Sequence, residues 1–189
     1  MGSYTIRKTD SLVLWFMQSR AFTLLELLIV MAILGVLAVV IFVALNPKER
    51  QAQARDSGRI SAVAQVGRSL QAYYTALSTY PDVSNWAQSL IDEGELSSFP
   101  TGIAYTSGIN PCTTYQQPAS NPTYCYDEDM VGGNGILVFS KAEAASHRGK
   151  CTSPEEAYFV FSSADARGGT ICSNGDPAPW PAGSMTYVE

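Results

Sequence analysis

The stretch Phe22–Leu45, FTLLELLIVMAILGVLAVVIFVAL, decides how this chain is organised. Glu26 is the one ionisable side chain among its 24 positions. At about 1.5 Å of rise per residue, a helix over this run is roughly 36 Å long and exceeds the ~30 Å hydrocarbon slab of a bilayer. The residues that follow are polar, rich in tyrosine, and punctuated by glycine and proline. The sequence therefore predicts one membrane helix joined to one polar head.

The residues before the apolar run suggest where the chain is processed. A polar and basic element, Gln18-Ser19-Arg20-Ala21, directly precedes it. In an ordinary secretory signal, the small-residue cleavage site follows the apolar stretch instead. A cut between Ala21 and Phe22 leaves the hydrophobic helix on the mature protein. We therefore expect that helix to act as a retained anchor and as an assembly element.

The segment Arg20–Val30, RAFTLLELLIV, resembles the class III signal of type IV pilins and type II secretion pseudopilins. The resemblance is specific over residues 20–43 and weaker as far as Pro81. In that family a prepilin peptidase cuts before the phenylalanine and methylates the new amine. The resemblance implies that Phe22 is the methylated N-terminus and that Glu26 is the acid at the fifth mature position. Ala21 stands where the family usually has glycine.

Pattern and resemblance together divide the chain into four segments. These are a leader peptide (1–21), a transmembrane and assembly helix (22–45), an amphipathic half of the same long helix (46–80) and a globular head with disulfides (81–189). The predicted fold class is α+β, the type IV pilin fold, with the long helix packed on a small antiparallel β-sheet. A start at Met17 gives a short leader typical of the family, so we hypothesise that Met17 rather than Met1 is the natural start.

A carboxylate within an apolar helix costs a few kcal/mol, which makes Glu26 a functional candidate. The alternative is an interfacial glutamate that only reaches towards water. Cleavage creates an α-amine on Phe22, one helical turn from Glu26, and the two groups can pair at i and i+4. In a filament, Glu26 can instead neutralise the amine of an adjacent subunit, where Coulomb attraction is little screened. We hypothesise that Glu26 selects and registers incoming subunits.

Beyond the apolar run, Asn46-Pro47 interrupts the helix because proline lacks a backbone donor. Pro47 is therefore a candidate bend. Helical periodicity then resumes, and the helix is predicted to stop at Pro81. Its apolar stripe, predicted to pack under the sheet, comprises Ile60, Val63, Gly67, Leu70, Tyr74 and Leu77.

The head is predicted to contain a short helix and an antiparallel sheet of three to four strands. The helix covers Ser84–Glu93, capped by Ser84, with Trp86 and Leu90 on its buried side. The candidate strands are Ile103–Thr106, Thr123–Tyr126, Ile136–Ser140, Tyr158–Ser163 and Met185–Val188.

All four cysteines lie beyond the membrane run: Cys112, Cys125, Cys151 and Cys172. None forms a CxxC pair, so zinc ligation is disfavoured. An even count in a head outside the membrane indicates two disulfides and an oxidising compartment. Three connectivities are possible, and we favour the sequence-local set, Cys112–Cys125 and Cys151–Cys172.

The net charge of −5 hides an uneven distribution. Residues 48–68 carry five cations against two acids, whereas from Ser69 onward there are four cations against thirteen acids. An acidic head is poorly matched to phosphate backbones, so direct nucleic-acid binding by the head is not predicted. The basic segment is interpreted as a partner for acidic faces of neighbouring subunits, or alternatively as a solvated helix.

Known catalytic and cofactor patterns give no support for an enzyme. Asp127, Glu128 and Asp129 form a weak calcium candidate, since consecutive acids lack the alternating spacing of an EF-hand loop; a solvated acidic turn is the alternative. His147 is interpreted as an exposed loop histidine, because its neighbours Ser146 and Arg148 do not make a Ser-His-Asp site. No cofactor is predicted.

The resemblance implies a pilin precursor that is cleaved, N-methylated and polymerised into a type IV pilus-like extracellular filament. Its partners would be identical subunits, minor pilins, a prepilin peptidase, a platform membrane protein and an assembly ATPase. The chain would span the cytoplasmic membrane once with its head outside, and later stand in a surface filament. One alternative is a type II secretion or competence pseudopilin. A more remote one is a membrane-anchored extracellular binding module that never polymerises. Adhesion, motility, DNA uptake and secretion all stay open as roles.

Overall fold

The protein is seen in a computed structural model that describes residues 22–106, 109–112, 123–128, 135–178, 183 and 185–188. The fold is α+β, as predicted, and the chain divides into two units between Leu45 and Asn46. The elements in chain order are α1 (Leu24–Leu45), α2 (Pro47–Leu77), α3 (Trp86–Asp92), β1 (Cys125–Glu128), β2 (Ile136–Lys141), α4 (Ala145–Arg148), β3 (Glu156–Ser162), β4 (Arg167–Ser173) and β5 (Tyr187–Val188).

The first unit contributes a single described helix, α1. It has 22 residues, none of them buried, and therefore rises about 33 Å. Within the described part of the chain, α1 is the one helix long and apolar enough to cross a membrane by length and composition. An apolar surface of this extent is unfavourable in water and is compatible with a place for α1 in lipid or among other helices.

The second unit begins with the long helix α2. Asn46 adopts a left-handed conformation (φ 40°) and Pro47 takes the first helical position, where its missing N–H costs no intrahelical bond. The predicted interruption at Asn46-Pro47 is therefore present. The predicted stop at Pro81 is wrong by several residues. The helix ends at Leu77, because Ser78 turns into the left-handed region (φ 58°) and donates its N–H to the carbonyl of Tyr74.

The buried face of α2 differs from the predicted stripe at its two ends. Val63, Gly67 and Leu70 are buried as expected, but Ile60 and Leu77 are 41% and 44% exposed. A row of buried residues with alternating spacings of four and three runs along the helix: Ala52, Asp56, Arg59, Val63, Val66 and Leu70. The first half of this buried face therefore contains charged residues. A search for apolar residues alone could not identify it.

The five strands form one antiparallel sheet in which each strand pairs with the next along the chain. The prediction of three to four strands is therefore wrong by at least one. The segment Ile103–Thr106 is not a strand, and β4 was missed because its Gly168-Gly169 pair lacks strand propensity. Those glycines lie opposite Phe161 and Val160 of β3, and a Cβ on Gly169 would collide with the ring of Tyr187.

The sheet is covered on both faces. One face packs against α2 and α3 in a core that includes Val66, Leu70, Trp86, Tyr126 and Phe161. The opposite face carries a second cluster that includes Leu137, Phe139, Val160, Ile171 and Met185. Gly67 allows α2 to approach the sheet closely, since a Cβ there would collide with the ring of Phe161.

The short helix begins two residues later and ends one residue earlier than the sequence predicted. It covers Trp86–Asp92, and its predicted buried residues Trp86 and Leu90 are buried. The predicted cap is wrong, because Ser84 lies two residues before the helix. The carboxylate of Asp82 accepts hydrogen bonds from the N–H and hydroxyl of Ser84, which keeps that residue in the preceding turn.

Candidate processing and assembly site

The start of α1 has the geometry of a helix N-terminus with a side-chain cap. The hydroxyl of Thr23 accepts a hydrogen bond from the N–H of Glu26 at 3.2 Å, and the carbonyl of Thr23 accepts one from the N–H of Leu27. A threonine followed three residues later by glutamate is the sequence pattern of a capping box. Helix α1 thus begins with a defined turn immediately after the predicted cleavage point.

The predicted site residues at this end are placed as follows. Phe22 lies two residues before α1 and is 73% exposed, and Glu26 lies in the first turn with its side chain exposed. Ala21, the residue before the predicted cut, lies outside the described residues. A carboxylate in the first turn is favoured by the partial positive charge at a helix N-terminus. Glu26 therefore combines an apolar neighbourhood with a position close to the predicted cleavage point.

The four cysteines form two disulfides in the head. Cys112 pairs with Cys125 at the start of β1, and Cys151 pairs with Cys172 in β4. The Cα atoms are 6.0 and 5.5 Å apart, and the bridged residues are 13 and 21 positions apart in sequence. These are the sequence-local pairs. The first bridge ties the segment before β1 to the sheet, and the second ties the segment after α4 to β4.

A buried charge cluster holds the first half of α2 to the rest of the head. We define it as Arg55, Asp56, Arg59 and Glu143. Arg59 is fully buried and donates to Asp56 Oδ1 at 2.7 Å and to Glu143 Oε2 at 3.0 Å. Arg55 binds both oxygens of Glu143, at 2.6 and 2.9 Å. Two cations thus meet two carboxylates, so the cluster is balanced in charge.

Arg59 makes three further contacts that account for its burial. Its Nη2 donates to the backbone carbonyls of Ile103 and Ala104, each at 3.1 Å. The guanidinium lies 3.9 Å from the ring centre of Tyr105, a cation–π distance. A buried guanidinium is tolerated only when it is paired and hydrogen-bonded in this way. The segment that was predicted to be a strand, Ile103–Thr106, therefore serves as an irregular wall of this cluster.

Two carboxylates of α2 bind the backbone of the segment that leads into α4. Asp56 accepts hydrogen bonds from the N–H groups of Glu143 and Ala144 at distances from 2.8 to 3.1 Å. Glu49 accepts from the N–H groups of Ala145 and Ser146, each at 3.0 Å. These N–H groups lie at the beginning of α4, where a helix has no internal acceptors. Side chains of one helix thus cap another.

The cluster shifts the acidity of its members. The hydrogen bonds from Arg55, together with those from Thr106 and Arg59, lower the pKa of Glu143 from 4.5 to about 2. The hydrogen bond to Glu143 also raises the pKa of Arg55. Burial raises the pKa of the Tyr105 hydroxyl to about 12. Glu143 and Arg55 are therefore both charged at neutral pH.

His147 is not the exposed loop residue that the sequence predicted. It belongs to α4, its side chain is 23% exposed, and its Nδ1 lies 3.0 Å from Asp56 Oδ2. Its ring also makes an edge contact with Phe159. The hydroxyl of Ser146 accepts from Gln53 at 3.1 Å, and the hydrogen bonds among the described residues do not join it to His147. His147 therefore supports the charge cluster.

The acidic residues of the weak calcium candidate do not share one face of the sheet. Asp127 and Glu128 are consecutive residues of β1, so their side chains leave opposite faces of the strand. Asp129 lies outside the described residues. Burial, with the nearby charge of Asp82, raises the pKa of Glu128. No group of three potential metal ligands occurs among the described residues.

The charge cluster was missed in the sequence, although a signal for it exists. Stepping back from Leu70 by four and three residues in turn passes Val66 and Val63 and then reaches Arg59 and Asp56. The apolar stripe predicted from the sequence contained Ile60, whereas the buried residue at this point of the helix is its neighbour Arg59. The interpretation of the whole basic segment as a partner for other subunits is consequently wrong for Arg59, which is fully buried, whereas the side chain of Arg55 is 30% exposed and pairs with Glu143 of the same chain. Glu143 lies far from α2 in sequence, so no local pattern identifies it as a partner of Arg59.

Comparison with known proteins gives a match at the N-terminus. Residues 16–42 match the family model described as the prokaryotic N-terminal methylation motif. No curated protein and no solved structure matches the chain. The matched residues include Ala21, Phe22 and Glu26 and most of α1. The motif belongs to structural subunits rather than to enzymes and supports a type IV pilin-like or pseudopilin subunit. The N-terminal segment of this chain thus matches the methylation motif, and this match supports a class III signal of the type IV pilin and pseudopilin kind.

Proposed function

We propose that this protein is the precursor of a structural subunit of a type IV pilus-like extracellular filament. A prepilin peptidase cuts it between Ala21 and Phe22 and methylates the new amine. The mature subunit then polymerises through α1. The observation that carries the proposal is the overlap of the methylation motif, residues 16–42, with an apolar helix whose first turn holds Glu26.

The proposed assembly step is electrostatic. Cleavage gives Phe22 a cationic amine one helical turn from Glu26. In a lone subunit the two charges pair within the chain. In a filament, the Glu26 carboxylate of one subunit pairs with the amine of a neighbour, where apolar helices exclude water and screening is weak. Apolar packing tolerates sliding along the helix axis, whereas this pair fixes one register.

The head supports an existence outside the cell. The head contains two disulfides. Disulfides form and persist in oxidising compartments. We therefore propose that the subunit is stored in the cytoplasmic membrane with its head outside and is added to a filament by an ATPase-driven platform. Identical subunits and minor pilins are its partners in the fibre. Repetition of one head-to-tail contact that does not close produces a helical fibre.

The second candidate function is that of a pseudopilin. The same methylation motif precedes pseudopilins, which form a short periplasmic structure in type II secretion or competence systems. The two functions differ in where the polymer is found. Long surface fibres that contain this chain favour the first function, and their absence together with a cleaved, methylated chain in the envelope favours the second. A chain with an intact leader that stays monomeric supports the remote alternative, an anchored binding module.

The decisive experiment is mass spectrometry of filaments sheared from the cell surface. We expect a chain that begins at methylated Phe22 and carries two disulfides. The matched variants are Ala21→Gly and Ala21→Leu. Glycine preserves a small residue before the cut and should be processed at least as well as the wild type, whereas leucine should leave uncut precursor in the membrane. Filaments whose subunits retain the leader, or equal processing of both variants, would contradict the proposal.

A further inference from the structure

The end of the head that follows α1 in the chain carries a basic groove. We define it by Asn46, Lys48, Arg55 and Arg148, which line a concave surface of about 660 Å³ together with Glu49 and Glu143. All of these residues belong to the second unit. Lys48 comes from the first turn of α2 and Arg148 from the last turn of α4. The groove is therefore built by two elements that Glu49 holds together.

The two acids of the groove are already engaged. Glu49 accepts hydrogen bonds from the N–H groups of Ala145 and Ser146, and Glu143 pairs with Arg55 and Arg59. Lys48 and Arg148 are exposed and take part in no ion pair with the residues that the structure describes. The groove thus presents two uncompensated cations, and these favour a bound anion.

The beginning of α2 adds to this preference. Asn46 lies at this end of the 31-residue helix without a side-chain capping hydrogen bond, and its carbonyl accepts hydrogen bonds from the N–H groups of Glu49 and Arg50. Anions are stabilised at such helix ends by the partial positive charge of the helix. A phosphate group combines the charge and the acceptor oxygens that suit both this helix end and the basic side chains.

Chain connectivity keeps one residue of the groove, Lys48, close to the end of α1. Lys48 follows Leu45, the last residue of α1, by three positions, so it lies no more than about 11 Å from it. A lysine or arginine near a bilayer surface is attracted to anionic phospholipids by about 1 kcal/mol, and this attraction falls off within a Debye length. We propose that the basic groove binds the phosphate of an anionic phospholipid while the subunit is stored in the membrane. The inference rests on the membrane location of α1 that is part of the proposed function, but not on polymerisation.

The test uses the full mature chain in nanodiscs that contain equal amounts of phosphatidylglycerol and phosphatidylcholine with the same acyl chains. Native mass spectrometry measures which lipid stays bound. We expect preferential retention of phosphatidylglycerol, reduced about fivefold by Lys48→Gln or by Arg148→Gln and weakened by salt. The matched control is Arg68→Gln, which removes one exposed cation from the same helix far from the groove and should change nothing.

A second arm separates a lipid from a free ion. Hydrogen exchange of residues 46–52 and 145–150 should slow in nanodiscs with phosphatidylglycerol, but not in phosphatidylcholine nanodiscs supplied with inorganic phosphate. Equal protection by inorganic phosphate would overturn the lipid assignment. Equal retention of both lipids, or an equal effect of Arg68→Gln, would overturn it too.

If Lys48→Gln leaves lipid retention unchanged but impairs filament formation, the groove binds an acidic face of a second copy instead. A failure of polymerisation with lipid retention intact contradicts only the proposed function.

Discussion

Arg59 and Glu143 are 84 positions apart in sequence, yet their side chains meet at 3.0 Å and both are almost fully buried. The pair joins the middle of α2 to the segment between β2 and α4. Two other residues complete the balance of charge, since Arg55 binds Glu143 and Asp56 binds Arg59. A buried pair of this kind contributes little net stability compared with an apolar replacement, but the loss of one partner is costly. The charge cluster therefore fixes how α2 meets the head.

Replacement of Arg59 by methionine is the direct test of this cluster. Arg59→Met leaves Asp56 and Glu143 buried without one of their cations, and we expect a loss of about 3–5 kcal/mol in the free energy of unfolding. The measurement is urea unfolding of the full chain in detergent, followed by near-UV circular dichroism. Arg68→Met, an exposed site on the same helix, should change stability by less than about 0.5 kcal/mol. Equal effects of the two substitutions would refute the structural role of Arg59.

Acid should weaken the same cluster through Glu143. The folded-state pKa of this carboxyl is lowered from 4.5 to about 2, chiefly by Arg55. A carboxyl whose pKa is lowered by folding contributes stability above its unfolded pKa, and that contribution disappears as the pH falls through the folded value. We expect the free energy of unfolding to fall by roughly 3 kcal/mol on this account between neutral pH and pH 2.

Glu143→Gln identifies the origin of that pH dependence. The glutamine cannot ionise, so the variant should be less stable at neutral pH but should lose less stability on acidification. The matched variant is Glu155→Gln, at an exposed acid of the same unit. It should retain the pH profile of the wild type. An unaltered slope for Glu143→Gln below pH 4.5 would show that other carboxyl groups carry the acid sensitivity.

Much of the fold could be predicted from the sequence, because the elements with a clear periodic signal are local. The apolar run and the proline at position 47 fix α1 and the start of α2, and four of the five observed strands overlap predicted ones. The element that was missed, β4, begins with Arg167-Gly168-Gly169 and owes its strand conformation to its neighbours. The charge cluster was missed for a similar reason, since the partner of Arg59 lies far away in the chain and no apolar pattern marks it.

Close packing at Gly67 gives a third prediction. A Cβ at this position meets the ring of Phe161, so Gly67→Ala should force α2 away from the sheet and cost about 1–3 kcal/mol, despite the better helix propensity of alanine. Gly58→Ala is the matched control on the same helix. There the Cβ meets only the end of the flexible Ile103 side chain, so the change should stay below about 1 kcal/mol. Thermal unfolding of both variants gives the comparison, and an equal or larger loss for Gly58→Ala would contradict this account.

The role of Glu26 gives the last prediction. Its N–H already binds Thr23, so its backbone supports the start of α1 whatever its side chain does. Glu26→Gln keeps the size and polarity of the side chain but removes the charge that the amine of Phe22 needs. We therefore expect normal cleavage before Phe22, a normal membrane level of the subunit, and at least a tenfold loss of filaments, since one charge-assisted contact per subunit is absent. Thr23→Ala is the control, because it weakens the helix start by only about 1 kcal/mol and leaves the charge pair intact. Sheared-filament yield is compared with the amount of processed subunit in the membrane. If Glu26→Gln and the wild type give equal yields of filaments, the carboxylate does not register the subunits, and apolar packing of α1 alone must determine assembly.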